Sequence, residues 1–229
     1  MRIAIVGTGR MGRAVAEQAA ARGHQVVARL GRAEADRLEG LRDAGAEVAI
    51  EFTRPDVVVA NLERLVVAGL PVVTGTTGWG AALAQVTALV RARGGALLHA
   101  PNFSTGVAVL RRAARDLASR LAGRPQFDGF ITEEHHAAKL DAPSGTALAL
   151  QQALVAGDPG RSYPVTSIRA GFHPGRHRVT WDSPFESIHL EHEARDRRVF
   201  AEGAVLAAEW LPGRTGVFTF DEMLFGRDP

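Results

Sequence analysis

The chain has 229 residues, enough for one large domain or two small ones, and its 46% hydrophobic and 23% charged residues are ordinary for a soluble globular protein. A formal net charge of +2, with basic residues scattered among acids, argues against a phosphate-tracking surface for nucleic acid, and the absence of cysteine excludes disulfides and thiolate metal sites. No run approaches the roughly 18 apolar residues of a membrane span, and the opening stretch turns glycine-rich too soon for a signal peptide, so a cytoplasmic location is expected.

From the amino terminus, short apolar runs read as strands at Ile3–Val6, Val26–Leu30, Val48–Phe52, Val72–Thr74 and Ala96–His99. Segments of helical period lie between them at Arg10–Arg22, Ala33–Ala44, Pro55–Ala68 and Ala81–Arg93. Strand–helix repetition with short loops predicts a doubly wound parallel sheet. Gly7, Gly9 and Gly12 spell G-x-G-x-x-G between the first strand and the first helix. There the glycines permit a tight turn, close approach of a pyrophosphate and close helix–strand packing, the pattern of a Rossmann dinucleotide site. The second strand ends Ala28-Arg29-Leu30-Gly31-Arg32 without an acid, and Glu34 reads as part of the next helix. Arg29 and Arg32 therefore favour the 2′-phosphate of NADPH, with NADH as the alternative.

The rhythm changes after Phe103. A helix over Val107–Leu121 leads to a strand (Phe127–Glu133), a polar loop and a helix (Thr146–Val155). Extended stretches follow at Thr166–Ala170, His177–Asp182 and Ser187–Arg195, in the pattern of an antiparallel or mixed sheet. A last helix, Val199–Trp210, and a short tail complete the chain. The expected fold is α/β: an N-terminal Rossmann unit with a second α+β unit.

Of 27 basic residues only Lys139 is a lysine. Arginine stays protonated near neutral pH, whereas a suitably placed lysine can release its proton. Lys139 lies in Glu133-Glu134-His135-His136-Ala137-Ala138-Lys139-Leu140-Asp141-Ala142-Pro143-Ser144-Gly145-Thr146, a loop leading into a helix start. Backbone amides there form a carboxylate receptor, and an adjacent histidine and lysine offer a proton donor and a charge partner. Ser144 also reads as a plain helix cap. His173, His177, His189, His192 and Glu191 invite a metal reading, but His189 and His192 should face opposite sides of a strand, and no metal site is expected. Two further readings remain open: another nicotinamide dehydrogenase acting on an amino or keto acid, and a dinucleotide-sensing module.

The stretch from Glu133 through His135, His136, Lys139, Asp141, Ala142, Pro143, Ser144, Gly145 and Thr146 to Ala147 resembles the signature of the 4-hydroxy-tetrahydrodipicolinate reductase family. So do the opening loop Gly7–Arg13, Phe52-Thr53, Gly75-Thr76-Thr77-Gly78 and Ala100-Pro101-Asn102-Phe103-Ser104, in family order. The resemblance implies reduction of a small cyclic dicarboxylate in diaminopimelate and lysine biosynthesis. By that resemblance Gly7, Thr8, Gly9, Arg10, Met11 and Gly12 would contact the dinucleotide, joined by Gly75, Thr76, Thr77, Ala100, Pro101, Asn102 and Phe103, with Arg32 near the 2′-phosphate. His135 would be the general acid/base and Lys139 a second proton donor. His136, Ser144, Gly145 and Thr146 would hold the substrate carboxylates. The resemblance also implies a return of the tail to the nucleotide unit: residues 1–103 with about 197–229 would bind dinucleotide, and 104–196 would bind substrate and build a homotetramer. This chain departs from the family in a shortened region between the second and third strands, Gly31 at the strand end, Arg169-Ala170-Gly171 in place of Arg-Gly-Gly, and Glu193 after His192.

Overall fold

The computed structural model describes residues 1–226, and in it the chain forms two units. One comprises Met1–Phe103 and the chain from Arg198 onward; the other is Ser104–Arg197. Residues 227–229 of the expected nucleotide segment lie outside the described residues.

In the first unit the apolar runs form parallel strands: β1 (Arg2–Val6), β2 (Gln25–Leu30), β3 (Val48–Glu51), β4 (Val72–Thr74) and β5 (Ala96–His99). Ile3, Ile5, Val48, Ile50, Val72, Val73, Leu97 and Leu98 are fully buried, as strands covered on both faces require. Three helices intervene: α1 (Arg10–Ala21), α2 (Val58–Val67) and α3 (Leu83–Ala92). One expected helix is absent. Ala33–Ala44 forms two 3₁₀ turns, Arg32–Arg37 and Glu39–Leu41. Only Leu38 and Leu41 bury apolar side chains in these turns, and Gly40 between them adds nothing to a stripe; so little burial does not sustain a longer helix.

In the second unit α4 (Thr105–Leu121) and α5 (Gly145–Gly157) pack on each other. Each is capped by a serine hydroxyl: Ser104 accepts from the Val107 amide and Ser144 from the Ala147 amide, both at 3.2 Å. They cover a mixed sheet of β6 (Asp128–His135), β7 (Val165–Arg169), β8 (Arg176–Asp182) and β9 (Ser187–Glu193). Its order is β7-β6-β8-β9, with β6 and β7 parallel and the other pairs antiparallel. Trp181, Tyr163, Ile131, Val179, Leu150 and Leu154 fill the space between helices and sheet. β6 runs two residues beyond its expected end, because its inward face continues past Ile131 with Glu133 and His135 instead of apolar residues.

The chain then re-enters the first unit as α6 (Arg198–Trp210), which packs on α1, β3 and β4. The expected short tail is more regular: Gly216–Thr219 forms β10, parallel to β5, and Phe220–Phe225 forms α7. A four-residue strand that begins at Gly216 is too short for alternation to betray it. The completed sheet has the order β10-β5-β4-β3-β1-β2. Strand order reverses beside β1, and ligands of open α/β sheets bind outside the carboxyl ends of strands at such a point.

Candidate active site

At the end of β1 the backbone turns sharply at Gly7, whose φ of +108° lies in the region open to glycine. A Cβ at Gly7 would overlap the Phe52 carbonyl, and one at Gly12 would overlap the carbonyl of Gly7. A Cβ at Gly9 would meet nothing within 4 Å. Gly7 and Gly12 are therefore required by packing, whereas Gly9 leaves open space before the first turn of α1, which carries no acidic residue to repel an anion.

The ends of β3 and β4 complete this edge. Glu51, fully buried, accepts from the hydroxyls of Thr53 and Thr74, and the Thr53 amide donates to Thr76 Oγ1 at 2.8 Å. This acid knits the Phe52-Thr53 loop to the Gly75–Thr77 loop; sequence reasoning missed it, although a lone acid ending an apolar strand was its signal. A 340 Å³ cleft is lined by Gly9, Arg10, Met11, Phe52, Thr53, Pro55 and Gly75–Thr77. A 180 Å³ cleft beside it is lined by Thr76–Gly80, Leu83, His99, Ala100 and Pro101. The glycine cradle, the helix start and these clefts fit a nicotinamide dinucleotide.

Thr8 and Arg32 are exposed and Asn102 half-buried, while Phe103 is 1% exposed and stacks edge-on with Phe52 and Phe220. The Phe103 ring thus supports the edge from within the core. Glu34 lies in the first 3₁₀ turn, with its carboxylate folded back to accept the Gly31 amide at 2.9 Å.

The signature segment of the second unit gathers around Glu133. The pleat of β6 points Glu133 and His135 to the same buried side. Glu133 Oε1 receives Arg169 Nη2 at 2.5 Å and the Ser144 amide at 3.2 Å. Glu133 Oε2 lies 2.5 Å from His135 Nδ1. Neither atom makes a hydrogen bond to any other group among the described residues. The close approach, with both atoms buried, makes this the working contact of the pair. Burial pushes the Glu133 carboxyl up; hydrogen bonds from Arg169 and Ser167, the His135 charge and the Ser144 amide outweigh it and hold the group at about 2.

His135 is pushed down by burial foremost and by Lys139 and Arg169, against the opposing pull of Glu133. The His177 ring meets the His135 ring edge-on at 5.1 Å, and His177 Nε2 is 3.1 Å from Ser144 Oγ. Burial, with the His135 charge second, depresses His177 to about 4. Lys139 is paired with Asp141 at 2.7 Å, its side chain 23% exposed, and Arg169 also donates to the Asp141 carbonyl. The His136 amide donates to the His173 carbonyl. Ser144, 2% exposed, has its hydroxyl engaged by the Ala147 amide and His177, so it acts as cap; Gly145, exposed, and Thr146, half-buried, follow it at the helix start.

His135, His136, Lys139 and Gly145–Thr146 thus belong to one neighbourhood, together with Glu133, Arg169 and His177, whose parts in it sequence reasoning missed. His189 instead bonds Thr180 and Ser187, while His192 approaches Ser104. Among the described residues, Glu133, His135 and His177 offer three donor atoms within 4.8 Å, a set that would suit zinc. The Arg169 guanidinium already places a cation against that carboxylate, so the arrangement is a carboxylate–imidazole pair first.

Residues 1–103 match the family model described as dihydrodipicolinate reductase, N-terminus, and residues 106–224 the model of its C-terminus. A 4-hydroxy-tetrahydrodipicolinate reductase of Christiangramia forsetii is 36% identical over 98% of both chains. One of Alkalilimnicola ehrlichii is 39% identical over 93% of this chain and 94% of its own. Among solved structures, dipicolinate-bound dihydrodipicolinate reductase from Paenisporosarcina sp. TG-14 shares the fold at a TM-score of 0.83 and 21% identity, covering 96% of this chain and 97% of that one. Matched along nearly its whole length, the chain belongs to the 4-hydroxy-tetrahydrodipicolinate reductase family, oxidoreductases of lysine and diaminopimelate biosynthesis that use a nicotinamide nucleotide.

Proposed function

We propose that this protein reduces dehydrated 4-hydroxy-tetrahydrodipicolinate to tetrahydrodipicolinate, with NADPH preferred over NADH, His135 as general acid/base and Lys139 as a second proton donor. The observation that carries the reading is the buried Glu133–His135 pair in a segment that ends at the start of α5. His136 and the amides of Gly145 and Thr146 would receive the substrate carboxylates, Ser144 serving as the cap that orients them. Lys139 lowers Asp141 by hydrogen bond and charge, so its ammonium is held in the same loop as the imidazoles. Gly7 to Gly12 and Gly75–Thr77 would hold the dinucleotide, and Arg32 its 2′-phosphate. When bound, that cofactor supplies a hydride.

On this reading Met1–Phe103 with the returning tail is the dinucleotide unit and Ser104–Arg197 the substrate unit. Nearly full exposure of Phe172 and Phe185 on the second unit supports its further role in a homotetramer. No helix of the described residues is long and apolar enough to cross a membrane; a cytoplasmic enzyme is the reading we favour.

The test couples the purified protein to a synthase that forms the substrate from pyruvate and aspartate semialdehyde, and follows absorbance of NADPH and NADH. Substrate-dependent oxidation, faster with NADPH, is expected; no oxidation of either cofactor rejects the function. His135→Ala and Lys139→Ala should each lower turnover by about 10² or more, the scale of general acid–base catalysis. Wild-type turnover in both would reject the assigned roles.

A further inference from the structure

The Glu133–His135 pair marks the site, but the Glu133 carboxylate itself is given no task above, although it is fully buried and meets Arg169, the Ser144 amide and His135. Burying an ionised carboxylate carries a large desolvation cost, tolerable only where fixed partners replace water. Arg169 Nη2 and the Ser144 amide supply those partners at Oε1. Oε2 is left facing His135 Nδ1, which is buried and makes no hydrogen bond elsewhere among the described residues.

We propose that Glu133 is the positioning residue of this active site: it keeps the imidazole proton of His135 on Nδ1 and leaves Nε2 as the atom that exchanges a proton with the substrate. The inference rests on His135 being the general acid/base. Three observations support it beyond the contact itself. Glu133 and His135 alternate on one strand, so backbone pairing of β6 with β7 and β8 fixes their separation. The far edge of the ring meets a residue with no side chain: Nε2 lies beside Gly175, where an added Cβ would come to 3.0 Å from it. The Ser144 amide held by Glu133 Oε1 belongs to the cap of α5, so one carboxylate ties the acid/base to the helix start assigned to the substrate.

The proton balance follows. Reduction adds a hydride to a ring carbon of the conjugated imine, and the displaced electron pair takes up one proton. Imidazolium Nε2–H gives that proton, leaving neutral His135 with its remaining proton on Nδ1 against Glu133; solvent then restores Nε2–H. The groups facing His135 are Glu133 on its own strand, Arg169 from β7, His177 from β8 and Lys139 from the loop. Of these, Glu133 alone favours the imidazolium, so its removal must move the protonation of His135 to lower pH.

The experiment measures kcat against pH for wild type, Glu133→Gln, Glu133→Asp and His135→Gln. For Glu133→Gln we expect turnover down at least tenfold, the limb that falls with rising pH shifted about one unit lower, and KM for the nucleotide within twofold. Glu133→Asp should return the limb towards its wild-type position. Adding Glu133→Gln to His135→Gln should slow the enzyme no further. An unmoved limb despite slower turnover means a merely structural role and overturns the inference, while wild-type turnover of His135→Gln overturns the role of His135 itself. Should Glu133→Gln not fold, nitrogen-15 imidazole spectra of the wild type decide: neutral His135 protonated on Nδ1 upholds the inference, and protonated on Nε2 overturns it.

Discussion

The two units build their candidate binding edges from opposite materials. In the first, the edge is backbone: amides at the start of α1, and glycines whose missing side chains let Gly7 pass beneath Phe52 and Gly12 press against Gly7. In the second, the edge is side chains, held by a buried carboxylate and a guanidinium. A backbone edge carries no proton to lose but, at Gly7 and Gly12, tolerates no added carbon. A side-chain edge accepts changes of shape more readily and answers to pH.

Substitution at the packed glycine should break the first edge most severely. Gly12→Val places branched carbon against the Gly7 carbonyl, with no flexible side chain to yield. We expect a loss of about 3 kcal/mol or more in urea denaturation, because both colliding groups are fixed by the βα turn. Gly9→Ala, with open space around its Cβ, should keep wild-type stability and weaken nucleotide binding instead. Equal stability of the two variants would show that packing is not what the third glycine serves.

The second edge should yield to acid. His177, 4% exposed, is depressed from its ordinary 6.5 to about 4, chiefly by burial and then by the His135 charge. A histidine lowered in the folded state binds its proton better when unfolded. Its contribution is therefore complete above pH 6.5 and lost as pH falls towards 4, on the order of 3 kcal/mol. Glu133, held at about 2, stays ionised throughout this window; His135 and His192, also lowered, add to the same slope. Denaturation at pH 7 and pH 4.5 should show wild type losing more stability than His177→Gln. The same loss in both would remove His177 as the acid-sensitive element.

The same contrast explains what could be read from residue order. The first edge is local: Gly7, Gly9 and Gly12 fall between a strand and a helix within six positions, and each motif loop follows its own apolar strand. The cluster on β6 is not local. Arg169 stands 36 residues from Glu133, and no period links them. Glu134 and His135, which end β6, read as loop, because a polar residue on an inward face imitates one. His177 did leave a trace, since His177, Val179 and Trp181 alternate along the strand on one buried face, which marks an imidazole turned to the core. Grouping it with His173, His189 and His192 by nearness in sequence obscured that alternation. The Ala33–Ala44 segment failed for another reason: helical spacing was present, but too little apolar surface was available to bury.

The smallest expected effect lies where a charged side chain meets the backbone edge. Arg32, exposed at the start of the turn after β2, would meet a 2′-phosphate as a solvent-facing cation, screened by salt and free to move. Its removal in Arg32→Ala should raise KM for NADPH about tenfold and leave that for NADH within twofold, the size of one exposed charge-assisted contact. Glu34 sharpens the argument. Its carboxylate is turned to the Gly31 amide at the end of β2, where it repels a phosphate yet is already engaged as a cap. Glu34→Gln should therefore lower KM for NADPH by about two- to threefold, by relieving like-charge repulsion. Because both effects are electrostatic, they should shrink together as ionic strength rises. Equal responses of NADPH and NADH to either substitution would mean that neither side chain reads the phosphate, and that selectivity resides in the backbone edge itself.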